Sequence, residues 1–191
     1  MAPRSRREPA ERALRMHATH ATIDSPLGEL TLVAHDGVLA GLYFAEHVRR
    51  PDPSAFGLRR DTCFEDAIRQ LGEYFRGART RFELELRPRG NVFQQRVWEL
   101  LRDIPYGETR SYGQLAAALG NPGLAREVGR ANGRNPIAVI VPCHRVIGAD
   151  GRLVGYAGGL ERKRSLLELE GALADGAADL RARRRARRET L

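Results

Sequence analysis

The segment Ile137-Ala-Val-Ile-Val-Pro-Cys-His-Arg-Val146 is the most informative stretch of the chain. Its first five residues are apolar and predict a short buried run. A cysteine and a histidine follow at positions 143 and 144. A thiol is nucleophilic only as the thiolate, and a nearby histidine or cation lowers its pKa from about 8.5. Adjacent residues of an extended strand point to opposite sides, so the spacing leaves Cys143 open to a nucleophilic or a structural role.

Short helices separated by turns are predicted before this segment. Asn91 can cap a helix that ends at Pro105, and Ser111 can cap the next, over 112–119. A turn with glycine and proline separates that helix from a third, predicted over 124–132. Two short helices joined by such a turn resemble a helix-turn-helix.

The third of these helices has a basic face. Arg126 and Arg130 are four residues apart and share one side of the helix. Gly129 and Ala131 leave the backbone open to close approach. This pattern favours contact with nucleic acid, and an ordinary solvated arginine face is the alternative.

The chain after the Cys-His pair predicts a ligand loop and a last helix. Ala149-Asp-Gly151 is typical of a hairpin turn. Gly155-Tyr-Ala-Gly-Gly159 predicts a flexible loop suited to wrapping a small ligand. Helical spacing of leucines predicts the last helix over 160–170.

The first half of the chain predicts a small α/β unit. Apolar or alternating segments separated by turn residues predict strands, and Asp36-Gly37 predicts a hairpin. The predicted strands are 18–24, 29–35, 38–44 and 82–86, the predicted helix is 62–76, and 45–61 is predicted as a loop.

The cysteine and histidines of this half predict packing rather than metal binding. Cys63 lies on the apolar side of the helical pattern, which predicts a buried free thiol. His17 and His20 lie three positions apart on a predicted strand, a spacing that does not put both rings on one face. His35 and His47 are expected to be ordinary surface or edge histidines, and no metal site is expected.

The formal net charge of +8 over 191 residues is unevenly distributed. Residues 1–15 and 172–191 each carry +3, residues 16–88 carry −2, and residues 89–171 carry +4. We therefore expect a polyanion to bind the second half. The basic ends are expected to be solvated tails, and a non-specific DNA tether is the alternative for 181–188.

The sequence shows neither a membrane-spanning segment nor a secretory signal, which predicts a cytoplasmic location. No apolar run approaches the roughly 18 residues that span a membrane. The first residues are charged and have no apolar stretch behind them, unlike a secretory signal. A cytoplasmic protein that does not bind membranes is expected.

Several motifs together resemble the O6-alkylguanine-DNA alkyltransferases, also called methylated-DNA–protein-cysteine methyltransferases. Pro142-Cys-His-Arg-Val146 is similar to the active-site signature of this family. The chain is identified as a member, with the resemblance running from about Thr22 to Gly171. Four further segments lie in the family's order and spacing: Ile104-Pro-Tyr-Gly-Glu-Thr-Arg-Ser-Tyr-Gly-Gln-Leu115, Ala125-Arg-Glu-Val-Gly129, Asn135-Pro136 and Gly155-Tyr-Ala-Gly-Gly-Leu160.

The resemblance implies a two-domain α+β (α/β) fold. An N-terminal ribonuclease H-like α/β domain would occupy residues 16–88. A helical domain with a winged helix-turn-helix and the active site would occupy residues 89–171. Basic tails, 1–15 and 172–191, would flank the two domains.

The resemblance also implies a set of catalytic roles. Cys143 would accept the alkyl group of O6-alkylguanine, and of O4-alkylthymine, irreversibly and once per molecule. His144 would take the thiol proton through a water, and Glu170 would orient the imidazole. Tyr112 would donate a hydrogen bond to the departing guanine, and Asn135 would brace the turn that carries the cysteine.

The implied substrate is a base flipped out of double-stranded DNA, because a pocket-bound cysteine cannot reach it within the stack. Arg126 would fill the vacated space from the minor groove, independently of sequence, and the protein would act as a monomer. The other implied DNA contacts are Ala125, Gly129, Arg130 and Tyr112. The implied pocket residues are Val146, Tyr156, Ala157 and Gly158.

Two other classes of protein fit parts of the sequence. A non-enzymatic damage-binding protein shares the implied fold but lacks the acceptor, so Cys143 argues against it. A sequence-specific winged-helix regulator needs base-reading side chains, which Ala125, Gly129 and Ala131 do not offer. No cofactor is expected, and the cysteines with which some family members bind zinc are absent.

Overall fold

A four-stranded sheet organises the first half of the protein in the computed structural model, which describes residues 18–173. Its strands are β1 (Ala18–Ile23), β2 (Leu30–His35), β3 (Val38–Phe44) and β4 (Leu58–Arg59). They lie in the order β3-β2-β1-β4, antiparallel except for the parallel pair of β1 and β4. The hairpin predicted at Asp36-Gly37 is confirmed: both residues have positive φ, 51° and 78°.

The helix of this half, α1 (Glu65–Phe75), begins three residues later than predicted. Asp61–Cys63 form a separate 3-10 turn, and the side chain of Phe64 takes the buried position beside it. Cys63 is exposed, so the prediction that its thiol is buried is wrong. The α-helical spacing that placed Cys63 on the apolar side does not hold within a 3-10 turn, which has three residues per turn.

The predicted strand 82–86 forms only one bridge, between Leu86 and Leu39 of β3, so its predicted extent is wrong. The Gln70 side chain of α1 donates to the Glu83 carbonyl (3.0 Å) and accepts from the Glu83 amide (2.8 Å). The backbone N–H and C=O groups of Glu83 therefore form hydrogen bonds with a side chain. In a regular strand they would form hydrogen bonds with the backbone of a neighbouring strand. In the predicted loop 45–61, the structure adds the short strand β4.

The second half consists of helices around one small parallel ribbon. The capping residues predicted at Asn91 and Ser111 are confirmed, since their side chains accept hydrogen bonds from the Gln94 and Gln114 amides. The elements are α2 (Val92–Arg102), β5 (Arg110–Ser111), α3 (Tyr112–Ala118), α4 (Ala125–Asn132), β6 (Val146–Ile147) and α5 (Leu160–Leu169), with β5 parallel to β6.

The run 137–141 is buried as predicted and joins the two halves. The Leu42 amide of β3 donates to the Pro136 carbonyl (2.8 Å), and the Ala138 amide donates to the Leu42 carbonyl (3.0 Å). A single hydrophobic cluster includes residues of both halves, among them Leu42 and Trp98. The segment that leads into Cys143 is therefore fixed to the sheet of the first half. No helix within residues 18–173 is long and apolar enough to cross a bilayer.

Candidate active site

Cys143 lies at the start of a tight 3-10 turn, Cys143–Arg145, directly after Pro142. Its side chain is buried, and Nδ2 of Asn135 donates a hydrogen bond to Sγ at 3.1 Å. The same Nδ2 atom lies 2.8 Å from the Val141 carbonyl, and Asn135 Oδ1 accepts from the Ile137 amide at 3.0 Å. Asn135 therefore ties the buried run, the turn and the thiol together.

His144 and Glu170 form a buried pair behind the cysteine. His144 Nε2 lies 2.9 Å from Glu170 Oε1, and both side chains are fully buried. Glu170 follows the last residue of α5, so the end of that helix places its carboxyl group beside the turn. The other imidazole nitrogen, Nδ1, is buried and has no hydrogen-bond partner in the part of the chain that the structure describes.

Several donors surround the Glu170 carboxylate. Arg145 binds both of its oxygens, through Nε at 2.8 Å and Nη2 at 2.9 Å. The Tyr74 hydroxyl of α1 donates to Oε1 at 2.7 Å, and the Gly107 amide lies 3.4 Å from Oε2. The guanidinium of Arg145, two residues after the cysteine, is therefore directed at Glu170.

These contacts determine the pKa values of Glu170 and His144. Burial opposes the charged form of Glu170, but hydrogen bonds from His144 and Arg145 and the positive charge of Arg145 outweigh it and lower its pKa to about 2. Burial lowers the pKa of His144, although Glu170 opposes this effect. Glu170 is thus an anion that accepts a hydrogen bond from the Nε2–H group of His144, which leaves the lone pair of the neutral imidazole on Nδ1.

The thiol of Cys143 is held protonated in this closed site. Burial raises its pKa to about 11, and the Asn135 hydrogen bond and the charge of Lys163 act in the opposite direction. The thiol therefore needs a base to become a nucleophile at neutral pH. A buried imidazole with its free lone pair on Nδ1, on the next residue of the same turn, is suited to that task.

The predicted pocket residues lie around the same turn. Val146 is fully buried at the start of β6, and the ring of the buried Tyr156 meets that of His144 edge-on at 6.5 Å between centroids. Ala157 and Gly158 continue the chain beside Tyr156. A Cβ atom on Gly158 would lie 2.8 Å from both Phe44 and Tyr156, so only glycine fits there.

Tyr112 begins α3 on the side of the site where the glycine-rich loop passes. Its hydroxyl donates to the Val154 carbonyl at 3.3 Å. Burial raises its pKa, and the thiolate form of Cys143 raises it further. Tyr112 is therefore a protonated hydrogen-bond donor at neutral pH.

The predicted DNA-contacting helix, α4, presents both of its predicted arginines. Arg126 and Arg130 are exposed, and Arg130 lies 3.8 Å from Glu127. Ala125 and Gly129 are half-buried, with Gly129 packed beside the Tyr112 ring. The expectation that Ala131 leaves the backbone open to close approach is wrong, because Ala131 is buried in the core and its carbonyl accepts the Trp98 indole N–H at 2.9 Å.

Lys163 and Tyr74 are site residues that sequence reasoning missed. The fully buried Lys163 donates to the carbonyls of Val146 and, at 2.6 Å, Val154, and burial lowers its pKa to about 8. Lys163 lies three and four residues before Leu166 and Leu167, two buried residues of α5. A charged residue within an apolar stripe was therefore a usable signal in the sequence. Tyr74 gave no such signal, because it lies 96 residues from Glu170 in sequence.

The candidate metal ligands are not brought together. Within residues 18–173, no group of three or more histidine, cysteine or acidic side chains could hold a metal ion. His47 is buried, so the expectation that it is a surface or edge histidine is wrong, and burial lowers its pKa to about 4. His17 and the terminal segments 1–15 and 174–191 lie outside the described residues, so the predicted tails stay predictions.

Two protein-family models match the chain. The family model described as 6-O-methylguanine DNA methyltransferase, ribonuclease-like domain, matches residues 19–88. The one described as 6-O-methylguanine DNA methyltransferase, DNA binding domain, matches residues 92–172. The two matches together cover most of the chain.

Similar proteins come from bacteria and archaea. The methylated-DNA–protein-cysteine methyltransferase of Mycobacterium tuberculosis (strain ATCC 25618 / H37Rv) is 55% identical over 158 residues, which is 79% of this chain and 91% of that protein. That of Methanosarcina acetivorans is 46% identical over 153 residues, or 80% of this chain and 98% of that protein. The crystal structure of Mycobacterium tuberculosis OGT in complex with DNA matches with a TM-score of 0.75 and 55% identity, covering 81% of this chain and 93% of that one. The chain therefore belongs to the 6-O-methylguanine DNA methyltransferase family.

Proposed function

We propose that this protein repairs DNA by transferring the alkyl group of O6-alkylguanine, and of O4-alkylthymine, to its own Cys143. One observation carries the proposal: His144, the residue directly after the cysteine, lies 2.9 Å from the ionised carboxylate of Glu170, and both side chains are buried. This arrangement supplies a nucleophile, a base and a group that orients the base. It needs no cofactor.

The transfer is a single displacement. The thiol proton moves through a water to Nδ1 of His144 as Sγ attacks the alkyl carbon. The bond from that carbon to O6 breaks, and its electron pair stays on the guanine, which regains its proton from a donor or solvent. Tyr112 donates a hydrogen bond to the guanine as negative charge develops on the ring. The alkyl group stays on Cys143 as a thioether, so each molecule acts once.

The surface around the site fits a DNA substrate. The exposed Arg126 and Arg130 of α4 lie on the helix that begins after the turn from α3. The damaged nucleotide is flipped from the duplex into the pocket, at a cost of a few kcal/mol. Arg126 enters the vacated space from the minor groove, and the small Ala125 and Gly129 read little sequence. The structure of the Mycobacterium tuberculosis relative with DNA supports DNA as the partner.

One chain holds every residue of this mechanism, which supports action as a monomer. The cytoplasm is the proposed location, since unmodified Cys143 must stay reduced.

The decisive experiment is incubation with duplex DNA that contains O6-methylguanine, followed by mass spectrometry of the two cysteine peptides. We expect one methyl group on the Cys143 peptide and none on the peptide of the exposed Cys63, which is an internal control. The variant Cys143→Ser should remain unmethylated and still bind the duplex. An unmodified Cys143 peptide together with tight binding of damaged DNA would instead identify a damage-binding protein.

A further inference from the structure

Arg162 of α5 connects the pocket loop to the first half of the protein. Its Nη1 atom donates to the Gly158 carbonyl at 3.0 Å, and its Nε atom donates to the Leu27 carbonyl at 2.9 Å. The guanidinium lies over the Phe44 ring at 5.0 Å from the centroid, and Nη2 lies 3.5 Å from Glu46. One side chain thus joins the loop to the turn after β1 and to the end of β3.

A second set of contacts holds the same loop against the same strand. The Val48 amide, just beyond β3, donates to the Ala157 carbonyl at 2.9 Å. The Gly158 backbone packs so closely on Phe44 that a Cβ atom there would lie 2.8 Å from the ring. The carbonyls of Ala157 and Gly158 are therefore both bound by donors outside the loop.

The loop has little conformational preference of its own. Gly155 and Gly159, on either side of Tyr156-Ala157-Gly158, have positive φ values of 52° and 92°. Glycine visits both halves of φ space readily, so a glycine-rich loop needs external contacts to hold one shape. The planar fork of Arg162 can bind two carbonyls that lie in different parts of the chain, which the single ammonium of lysine does less well.

We propose that Arg162 is a positioning residue that uses the first half of the protein to fix the pocket loop, and so sets the affinity for the extruded base. This inference rests on the proposed function of the pocket. Arg162 does not contact the thiol–imidazole–carboxylate group, whose hydrogen bonds are made by other residues. Its loss should therefore weaken substrate binding and leave the transfer step unchanged.

The test separates binding from chemistry with free O6-benzylguanine as the probe. The rate of Cys143 benzylation is measured against probe concentration for the parent protein and for Arg162→Ala. We expect the half-saturating concentration to rise about tenfold, the equivalent of about 1.4 kcal/mol. The limiting rate should stay within about twofold, and its pH profile should keep the midpoint of the parent, because His144 and Glu170 are untouched.

Further variants distinguish positioning from general loss of structure. Arg162→Lys, which keeps the charge and can bind one carbonyl, should fall between the parent and the alanine variant. Arg164→Ala removes an exposed arginine two residues along the same helix and should match the parent. The affinity for undamaged duplex should be the same in all four proteins, since α4 is unchanged.

Two results would overturn the role of Arg162. One is an unchanged half-saturating concentration in both Arg162 variants. The other is a fall in the limiting rate with a shifted pH profile, which would place Arg162 in the chemical step. Failure of the proposed function looks different, because the parent protein itself would then not be alkylated at Cys143.

Discussion

At the scale of single residues, the carboxylate of Glu170 is bound by most of the polar side chains buried behind Cys143. Its two oxygens accept from His144, Arg145 and Tyr74, three side chains that come from two parts of the sequence. A buried carboxylate is stable only when such donors replace its hydration. Glu170, which under the proposed function orients the imidazole of His144, is for this reason also a residue on which we expect the stability of the folded state to depend.

Removal of the Glu170 charge should change how stability depends on pH. The folded pKa of about 2 lies below the ordinary value of 4.5, so the carboxylate stabilises the fold above about pH 4.5. That contribution is lost as pH falls from about 4.5 to about 2, and the shift corresponds to about 3 kcal/mol.

We expect the free energy of unfolding of Glu170→Gln, measured with guanidinium chloride, to fall less steeply over this window than that of the parent. The matched control is Glu161→Gln, an exposed carboxyl group in the first turn of the same helix, which should follow the parent curve. Parallel curves for the parent and Glu170→Gln would contradict the assigned ionisation.

At the scale of elements, the proposed function assigns different roles to helix α4 and to the turn that carries the cysteine. The inner face of α4 packs on the core through Val128 and Ala131, and its outer face presents Arg126. The Cys143–Arg145 turn is a separate element, and Asn135 donates a hydrogen bond to its thiol. Under the proposed function, one element meets DNA and the other performs the transfer, so we expect a substitution on the outer face of α4 to leave the transfer step unchanged.

Arg126→Ala should weaken repair in duplex DNA more than reaction with a free base. We expect the rate with O6-methylguanine in duplex to fall at least about tenfold, because the flipped-out state loses the side chain that fills the stack. The rate with free O6-benzylguanine should stay near that of the parent, because no flipping is needed.

Arg96→Ala, which removes an exposed arginine from α2, provides the charge-matched control. Both activities of this variant should stay close to the parent. Equal losses of Arg126→Ala on the two substrates would rule out a role in flipping.

The two halves share one hydrophobic core at the scale of the whole molecule. Leu42 of β3 is fully buried and pairs through its backbone with Pro136 and Ala138, at the start of the segment that leads to the cysteine. Tyr74 and Arg162 make further contacts between the halves. The first half is thus a support for the catalytic group, and the two halves should unfold together.

Leu42→Ala should destabilise both halves at once. Truncation of a buried leucine costs 2–5 kcal/mol, so we expect about 3 kcal/mol. The loss should appear as one earlier transition, at the same denaturant concentration by the fluorescence of Trp98 in the second half and by far-ultraviolet circular dichroism of the whole chain.

Val48→Ala, at a side chain that is 81% exposed, is the control and should change stability by less than about 0.5 kcal/mol. Separate transitions by the two probes would show that the halves fold independently.

Local chemistry made several features predictable from the sequence. The positive φ values at Asp36-Gly37 and the side-chain caps at Asn91 and Ser111 depend on neighbours within three residues. The motif around Cys143 indicated the family, and with it the roles of His144 and Glu170. Those roles are consistent with the observed hydrogen bonds.

Tertiary structure decided what depends on distant contacts. The strand predicted at 82–86 was limited to one bridge because Gln70 binds its backbone, and Cys63 became exposed because a 3-10 turn replaced the start of a helix. The contacts of Tyr74 and Gly107 with Glu170, and of Arg162 with Leu27, join residues 63 to 135 positions apart. Helical and strand periodicity report only near neighbours. The sequence by itself therefore determined the family and, through it, the predicted roles of Cys143, His144 and Glu170, whereas packing between the two halves decided which side chains bind the Glu170 carboxylate and the pocket loop.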